Sequence, residues 1–359
     1  MQRVDKILAE ISPRMRLLEI GPSYAPVAPK RDGWNTCVVD HAPRSALLEK
    51  YRPHAAAMDL SRIEEVDVVW TAGPLHEAVW AGGHGQFGGC IASHVIEHLP
   101  DPIGFLQSLD HLLVTEGVVS LVIPDKRFCF DFFKPLSTVG GLLEAHNRLA
   151  TRHSRQIRFD FEAYNVTSHG EILWASQPVS DIAFWNSLAD AKAAFDTHPT
   201  SSEDPYVDCH AWHFTPSSFA LAMLELAALD VIDFSIDRSF PTAGFEFYVT
   251  LRRGRDVPTT DQGLDALRLG LLRQTFTEIR DQIRLWAEEP ASGGSADTNR
   301  LDRSEEQARV EGLERELSSV LSSKSWRATK PLRSTSSHLR RLLGGRHDTS
   351  SGPERLRNR

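Results

Sequence analysis

At 359 residues, 41% of them hydrophobic, the chain can bury a full core and keep length for appendages. No uninterrupted apolar stretch reaches bilayer length, and Met1-Gln2-Arg3-Val4-Asp5-Lys6 lacks the apolar core of a signal peptide, so a membrane-spanning or exported chain is not expected. The net charge of −8 is uneven: from Lys324 to Arg359 ten Lys or Arg face two Asp or Glu, which leaves −16 on the rest, an acidic body that argues against nucleic-acid binding.

Val4, Ile7, Leu8 and Ile11 fall at helical spacing ahead of a first strand carried by Leu17, Leu18 and Ile20. Cys37, Val38 and Val39 give a second strand, residues 44–51 a crossover helix, and 55–60 a short third strand. Asp67-Val68-Val69-Trp70 onward reads as a small hairpin and helix. Residues 90–93 read as a fourth strand and 118–124 as a fifth, with Ile103, Leu106, Leu109, Leu112 and Leu113 marking an amphipathic helix between them. The alternation of strands and helices predicts a doubly wound, mostly parallel α/β sheet covered on both faces. It breaks over residues 131–211, which are rich in polar, aromatic and histidine positions and show no clean strand. Such an insertion is placed to cover the sheet's carboxyl edge, where open α/β sheets bind ligands. Thr215-Pro216 then caps a helix with Phe219, Ala222, Met223 and Leu226 on one face, and residues 231–236 and 245–251 read as two closing strands. Beyond Arg252, Leu264, Leu267, Leu271, Phe276, Ile279 and Ile283 predict a long amphipathic helix, a linker follows near 290–300, and a second helical stretch carries Val310, Leu313, Leu317 and Val320. The expected division is a main domain over 1–252, a helical extension over 253–323 and a basic tail over 324–359. Cys37, Cys90, Cys129 and Cys209 are scattered without a C-x-x-C pair and read as reduced core residues.

The first motif is Glu19-Ile20-Gly21-Pro22-Ser23-Tyr24, followed by Val38-Val39-Asp40. Gly21 permits a sharp turn and close ligand approach, and Asp40 can accept hydrogen bonds from both hydroxyls of a ribose. G-x-G-x-x-G is absent, so the loop is poorly suited to a pyrophosphate and better suited to a phosphate-free nucleoside. With these residues the first 250 or so positions resemble the class I S-adenosylmethionine-dependent methyltransferases, in particular the type 11-like members. The resemblance implies a Rossmann-like fold with S-adenosylmethionine as cofactor. Glu19, Gly21, Pro22 and Ser23 would hold its methionine part, and Asp40 its ribose. Ala57-Met58-Asp59-Leu60 is similar to the segment whose carboxylate meets the adenine, and the residues from Cys90 to Leu99, including Ser93, to the fourth strand and its following turn. The family usually carries further glycines where this chain has Pro22, Ser23 and Tyr24.

Methyl transfer from a sulfonium needs alignment and desolvation, and a hydroxyl acceptor also needs a group to take its proton. His94 after strand four, Asp125 after strand five and His169 in the insertion are the catalytic candidates; Tyr24, Phe128, Phe130, Phe132, Phe133 and Trp174 are candidate pocket walls. Two readings compete. His94-Val95-Ile96-Glu97-His98 also fits the H-x-x-E-H pattern of inverted zinc metallopeptidases, with His210 and His213 as further ligands, but that pattern belongs inside a helix and here it follows a buried strand directly. No metal is therefore expected. The other rival is a methyltransferase fold used without catalysis as a binding module in a glycan-assembly complex.

Ser325-Trp326-Arg327-Ala328-Thr329-Lys330-Pro331-Leu332-Arg333 resembles a segment recurring at the ends of bacterial glycosyltransferases and of methyltransferases associated with surface polysaccharide synthesis. That resemblance implies a sugar or glycan hydroxyl as acceptor. It also implies a cytoplasmic protein whose basic tail docks on the inner face of the membrane or on an acidic partner such as a glycosyltransferase.

Overall fold

The computed structural model describes residues 1–174, 181–199 and 206–287. The expected linker near 290–300, the second helical stretch and the basic tail lie outside the described residues. All that follows concerns the compact unit Met1–Glu289.

A short helix, Arg3–Ile7 (α1), leads into Leu17–Ile20 (β1) and Thr36–Asp40 (β2). Both strands are buried at every position, as strands covered by helices on two faces must be. Arg44–Tyr51 (α2), Val68–Val69 (β3), Leu75–Ala81 (α3), Phe87–Ser93 (β4), Pro102–Leu112 (α4) and Leu113–Pro124 (β5) follow. The segment after β5 contains Val139–Asn147 (α5), Arg155–Tyr164 (α6), Val166–Ser168 (β6), Glu171–Ile172 (β7), Ile182–Phe184 (β8) and Leu188–Thr197 (α7). Pro216–Ala228 (α8), Phe234–Ala243 (β9), Glu246–Arg253 (β10) and Asp261–Ala287 (α9) complete the chain as described. Local chemistry sets the helix starts: Asp101 accepts the Gly104 N–H ahead of Pro102, and Thr215 accepts from Ser218 ahead of Pro216.

The seven-stranded sheet has the order β3-β2-β1-β4-β5-β10-β9. β1 pairs in parallel with β2 on one side and β4 on the other, and only β10 runs against its neighbours. This is the doubly wound, mostly parallel, Rossmann-like sheet that the sequence predicts. The order reverses at β1, so the crevice beyond the carboxyl ends of β1 and β4 is where such a sheet binds its ligand. Leu18, Ile20, Cys37, Val39, Cys90 and Leu121 face the larger core with α4 and α8; Leu17, Ile91, Val118 and Val122 face a smaller one with Ile7 and Ile11.

Three expectations are corrected. Residues 55–60 are no strand: they form turns, and Asp59 caps a one-turn 3-10 segment, Leu60–Arg62. The third strand is instead β3, two residues long and parallel to β2 rather than part of a hairpin. Nor does the segment after β5 lack strands, since β7-β6-β8 form a small antiparallel sheet; two or three residues are too few for the alternation of a strand to show in the sequence. All four cysteines are free and buried. Among the described residues no helix is long and apolar enough to cross a membrane.

Leu109 is fully buried on the sheet-facing side of α4. Leu109→Ala should cost about 2–5 kcal/mol, read as a lower urea midpoint at unchanged slope; a loss below about 1 kcal/mol would contradict this packing.

Candidate active site

The crevice is built from two strand tips. Beyond β1 the chain turns at Gly21, whose φ of 61° is a left-handed value that glycine adopts without strain; its N–H donates to the Val39 carbonyl. Val95, just past β4, lies 3.5 Å from where a Gly21 Cβ would stand, so the tips adjoin. Two non-glycine residues share the left-handed conformation here, Ser23 (φ 47°) and His94 (φ 54°).

Glu19 and Asp40 have the same parity in the β1–β2 register, Glu19 opposite Val38 and Asp40 two residues on, and so point to one face of the sheet. Both act on the loop between them. The carboxylate of Glu19 accepts the N–H groups of Val27 (2.6 Å) and Ala28 (3.2 Å). Asp40 accepts from the Ser23 N–H and hydroxyl at 3.0 and 3.2 Å and from the His41 N–H at 2.8 Å. Glu19 is thus an anchor of the loop, and its contact with the methionine part of a cofactor would run through that loop. Burial pushes its carboxyl up to about 7 against the pull of the two N–H donors. Asp40 is itself buried at the β2 tip, 3% exposed, and its Oδ1 also lies 2.6 Å from His41 Nδ1. Trp70, which sequence reasoning did not single out, follows β3 and donates its N–H to the Asp40 carbonyl; the two-residue length of β3 hid it. Tyr24 packs edge-on against Tyr51. Pro22 and Ser23 line the turn. Asp59 and Leu60 belong to the exposed 3-10 turn ahead of β3, where Asp59 accepts from the Ser61 N–H and hydroxyl. They are not brought to the strand tips, because the strand expected to carry them does not form.

Of the three catalytic candidates, only His94 lies at the crevice. Its Nε2 is 2.8 Å from Glu246 Oε2 and its Nδ1 3.4 Å from Glu97 Oε1. Burial lowers its pKa, but the hydrogen bonds with Glu246 and Glu97 outweigh it and push the imidazole up to about 9. His94 is therefore a cation and donor at neutral pH, where the sequence suggested a base. Trp174 and Phe245 pack against its ring, with Phe130 behind Trp174. Glu246, at the start of β10, was missed: besides the Tyr248 hydroxyl two positions on (2.6 Å), it contacts His94 and Arg3 (2.7 Å), 152 and 243 positions away, and nothing local announces those two. Burial alone would raise its carboxyl; the hydrogen bonds from His94, Arg3 and Tyr248 bring it down to about 2. Ser93 accepts from the Arg3 guanidinium at 2.9 Å.

Asp125 is not a reactive group. It is fully buried, and its two oxygens accept the Arg127 guanidinium at 2.9 and 2.6 Å, the Arg127 N–H and the Thr242 hydroxyl, which spends its lone pairs on structure. His169 stands in the turn between β6 and β7 with 68% of its side chain exposed, 3.5 Å from Asp181; the hairpin carries it out to solvent. The zinc-peptidase arrangement does not form either. Ile96–His98 is a single 3-10 turn and His94 precedes it in a left-handed conformation, so the two histidines are not one helical turn apart.

Residues 206–212 lie against the turn after β4. Ala211 N–H donates to the Glu97 carbonyl, Trp212 Nε1 to the Leu99 carbonyl and the Tyr206 hydroxyl to the His98 carbonyl. Asp131, buried with Lys134 at 2.7 Å and His210 at 2.6 Å, is held well below the usual carboxylate range by their charge, burial notwithstanding.

Residues 1–177 match the family model described as a methyltransferase domain. No curated protein matches the chain. Among solved structures it is similar to magnesium protoporphyrin IX methyltransferase from Synechocystis PCC 6803 with bound SAH (10% identity, 70% of this chain and 80% of that one, TM-score 0.31). A SAM-dependent methyltransferase from Methanosarcina mazei (11%, 71% and 99%, 0.32) and a methyltransferase from Streptomyces caelestis (12%, 71% and 97%, 0.32) are comparably similar. The strand order and the family match together mark residues 1–177 as a methyltransferase domain. The crevice carries a glycine turn at Gly21 and an acidic strand tip at Asp40, and it lacks a glycine-rich pyrophosphate cradle.

The raised carboxyl of Glu19 makes stability depend on pH. The fold favours its protonated form, so that contribution is complete below the unfolded value near 4.5 and is lost as pH rises through about 7. Glu19→Gln should therefore gain up to about 3 kcal/mol relative to the parent between about pH 5 and pH 8, read from urea midpoints. A difference that stays flat would show Glu19 ionised throughout.

Proposed function

We propose that this chain methylates a hydroxyl of a sugar or glycan intermediate, with Asp40 holding the cofactor's ribose and His94 positioning the acceptor oxygen. The observation that carries this reading is the His94–Glu246 pair at the β4 tip, set beside the Gly21 turn and walled by Trp174 and Phe245. The cofactor supplies an activated methyl on sulfur, so the protein's task is alignment and exclusion of water. Gly21, Pro22 and Ser23 would lie along the cofactor's methionine part, and Ser93 at the β4 tip beside it. Asp40 would exchange the Ser23 hydroxyl for the two ribose hydroxyls. His94, its ring fixed by Glu246, would position the acceptor oxygen, and the proton that the hydroxyl gives up on methylation would pass to solvent water. Half-exposed Trp174 offers a flat apolar surface next to charged hydrogen-bonding groups, the mixture that suits a pyranose ring with its hydroxyls. The Ser325 to Arg333 resemblance supports a glycan acceptor, and a basic tail on an acidic body supports association with a membrane surface or a glycosyltransferase.

Asp40→Ala should weaken S-adenosylmethionine binding by about 1–3 kcal/mol in calorimetry, the range for losing hydrogen bonds to a charged group; unchanged affinity contradicts the ribose role. His94→Gln should lower kcat about 100-fold while cofactor affinity is kept, and an undiminished kcat removes His94 from the reaction. Labelled-methyl transfer to nucleotide sugars or lipid-linked oligosaccharides is the expected outcome of an acceptor panel. Transfer to non-sugar hydroxyls alone would overturn the glycan assignment and leave methyl transfer standing.

A further inference from the structure

The turn after β4 buries a carboxylate that makes no short hydrogen bond among the described residues. Glu97 has no exposed surface, and neither of its side-chain oxygens accepts a hydrogen bond. Its nearest polar neighbours are His94 Nδ1 at 3.4 Å and His98 Nε2 at 3.9 Å. The His94 cation at that distance offsets only part of the cost of burying the anion.

Two histidines stand ready on its open side, each already oriented by a carboxylate behind it. His98 Nδ1 lies 2.8 Å from Asp208 and His210 Nδ1 2.6 Å from Asp131. A carboxylate at Nδ1 fixes the proton there and leaves the Nε2 lone pair for a ligand, the arrangement in which histidines bind metals. The ligand atoms of Glu97, His98 and His210 lie within 4.8 Å of one another, so small side-chain rotations bring all three onto one ion. The Ala211 N–H bond to the Glu97 carbonyl, 2.8 Å, ties together the two chain segments that supply them.

We propose that Glu97 and the Nε2 atoms of His98 and His210 bind a divalent first-row transition cation of the zinc, cobalt and manganese kind. Two imidazoles and one carboxylate suit these ions, whereas magnesium and calcium prefer all-oxygen sites. Three protein ligands leave a position for water or a donor oxygen, and His98, 29% exposed, opens it to solvent. The ligands differ from those of the zinc-peptidase pattern: Glu97 is itself a ligand, and the second histidine comes from the stretch before α8. His210 shares the rings of Phe130 and Trp174 with the wall beside His94, so an oxygen on the ion would lie close to the proposed acceptor cleft. The competing arrangement leaves Glu97 paired with the His94 cation alone, 3.4 Å away, and takes no ion.

The test is a cobalt(II) titration of the full-length, tag-free chain after dialysis against a chelator, followed by visible d–d absorption. One equivalent of cobalt should bind and be displaced by zinc. His98→Gln and His210→Gln should each lower affinity at least about tenfold, and Asp208→Asn, which removes only the support behind His98, about 10- to 100-fold. His54→Gln, an exposed histidine elsewhere, should change nothing. Absence of stoichiometric cobalt, zinc or manganese binding by the parent chain overturns the proposal without recourse to any variant. So does binding that survives unchanged in folded His98→Gln and His210→Gln, as judged by circular dichroism. The readout is binding alone, so its failure leaves the methyl-transfer reading untouched.

Discussion

The carboxyl edge of this sheet is organised by the cost of burying anions. Glu19, Asp40, Glu97, Asp125, Asp131 and Glu246 cluster there, and none is more than 5% exposed. A carboxylate taken out of water must recover its hydration from fixed donors, so each of these residues dictates the placement of what surrounds it. Glu19 and Asp40 draw the Gly21–Ala28 loop down onto the β1 and β2 tips. Asp125 pins the turn after β5 through Arg127 and reaches Thr242. Asp131 gathers Lys134 and His210, and Glu246 gathers His94, Arg3 and Tyr248. The cofactor crevice and the cover over it are consequences of this pairing as much as of hydrophobic packing. Glu97 is the member of the set whose oxygens find no short hydrogen bond among the described residues, and that difference separates it from the structural carboxylates around it.

What could be read in the sequence was whatever depends on neighbours in the chain. β1, β2 and the buried part of β5 announce themselves as apolar runs because both faces are covered, and α4 and α8 by three-four spacing with a cap and a proline at their starts. Glycine and aspartate at the first two strand tips were legible for the same reason: a turn and a strand end are local events. β3 escaped because a two-residue strand has no period, and its loss misplaced Asp59. Asp125 and His169 show a second kind of failure. Their positions after β5 and in the insertion were plausible, but whether a carboxylate is spent on an arginine two residues away, or a histidine is carried out on a hairpin, is decided by side-chain geometry. Glu246 was beyond reach, because its importance lies in contacts to His94 and Arg3 that only the closed sheet creates.

The backbone at the crevice is held where it would not rest by itself. Ser23 and His94 both adopt left-handed φ values, which cost a residue with a Cβ roughly 1–2 kcal/mol each. Both are compensated on the spot. Ser23 gives its N–H and hydroxyl to Asp40, and His94 gives its N–H to the Val122 carbonyl and its ring to Glu246. Strain kept in this way at two facing strand tips, with the bonds that hold it supplied by buried anions, fixes the Ser23 backbone and the direction of the His94 side chain before any ligand arrives. Reorganisation that is not needed on binding does not subtract from it. The same anions that make the edge expensive to fold therefore make it rigid, and a methyl transfer that relies on alignment rather than on a strong acid or base gains most from that rigidity.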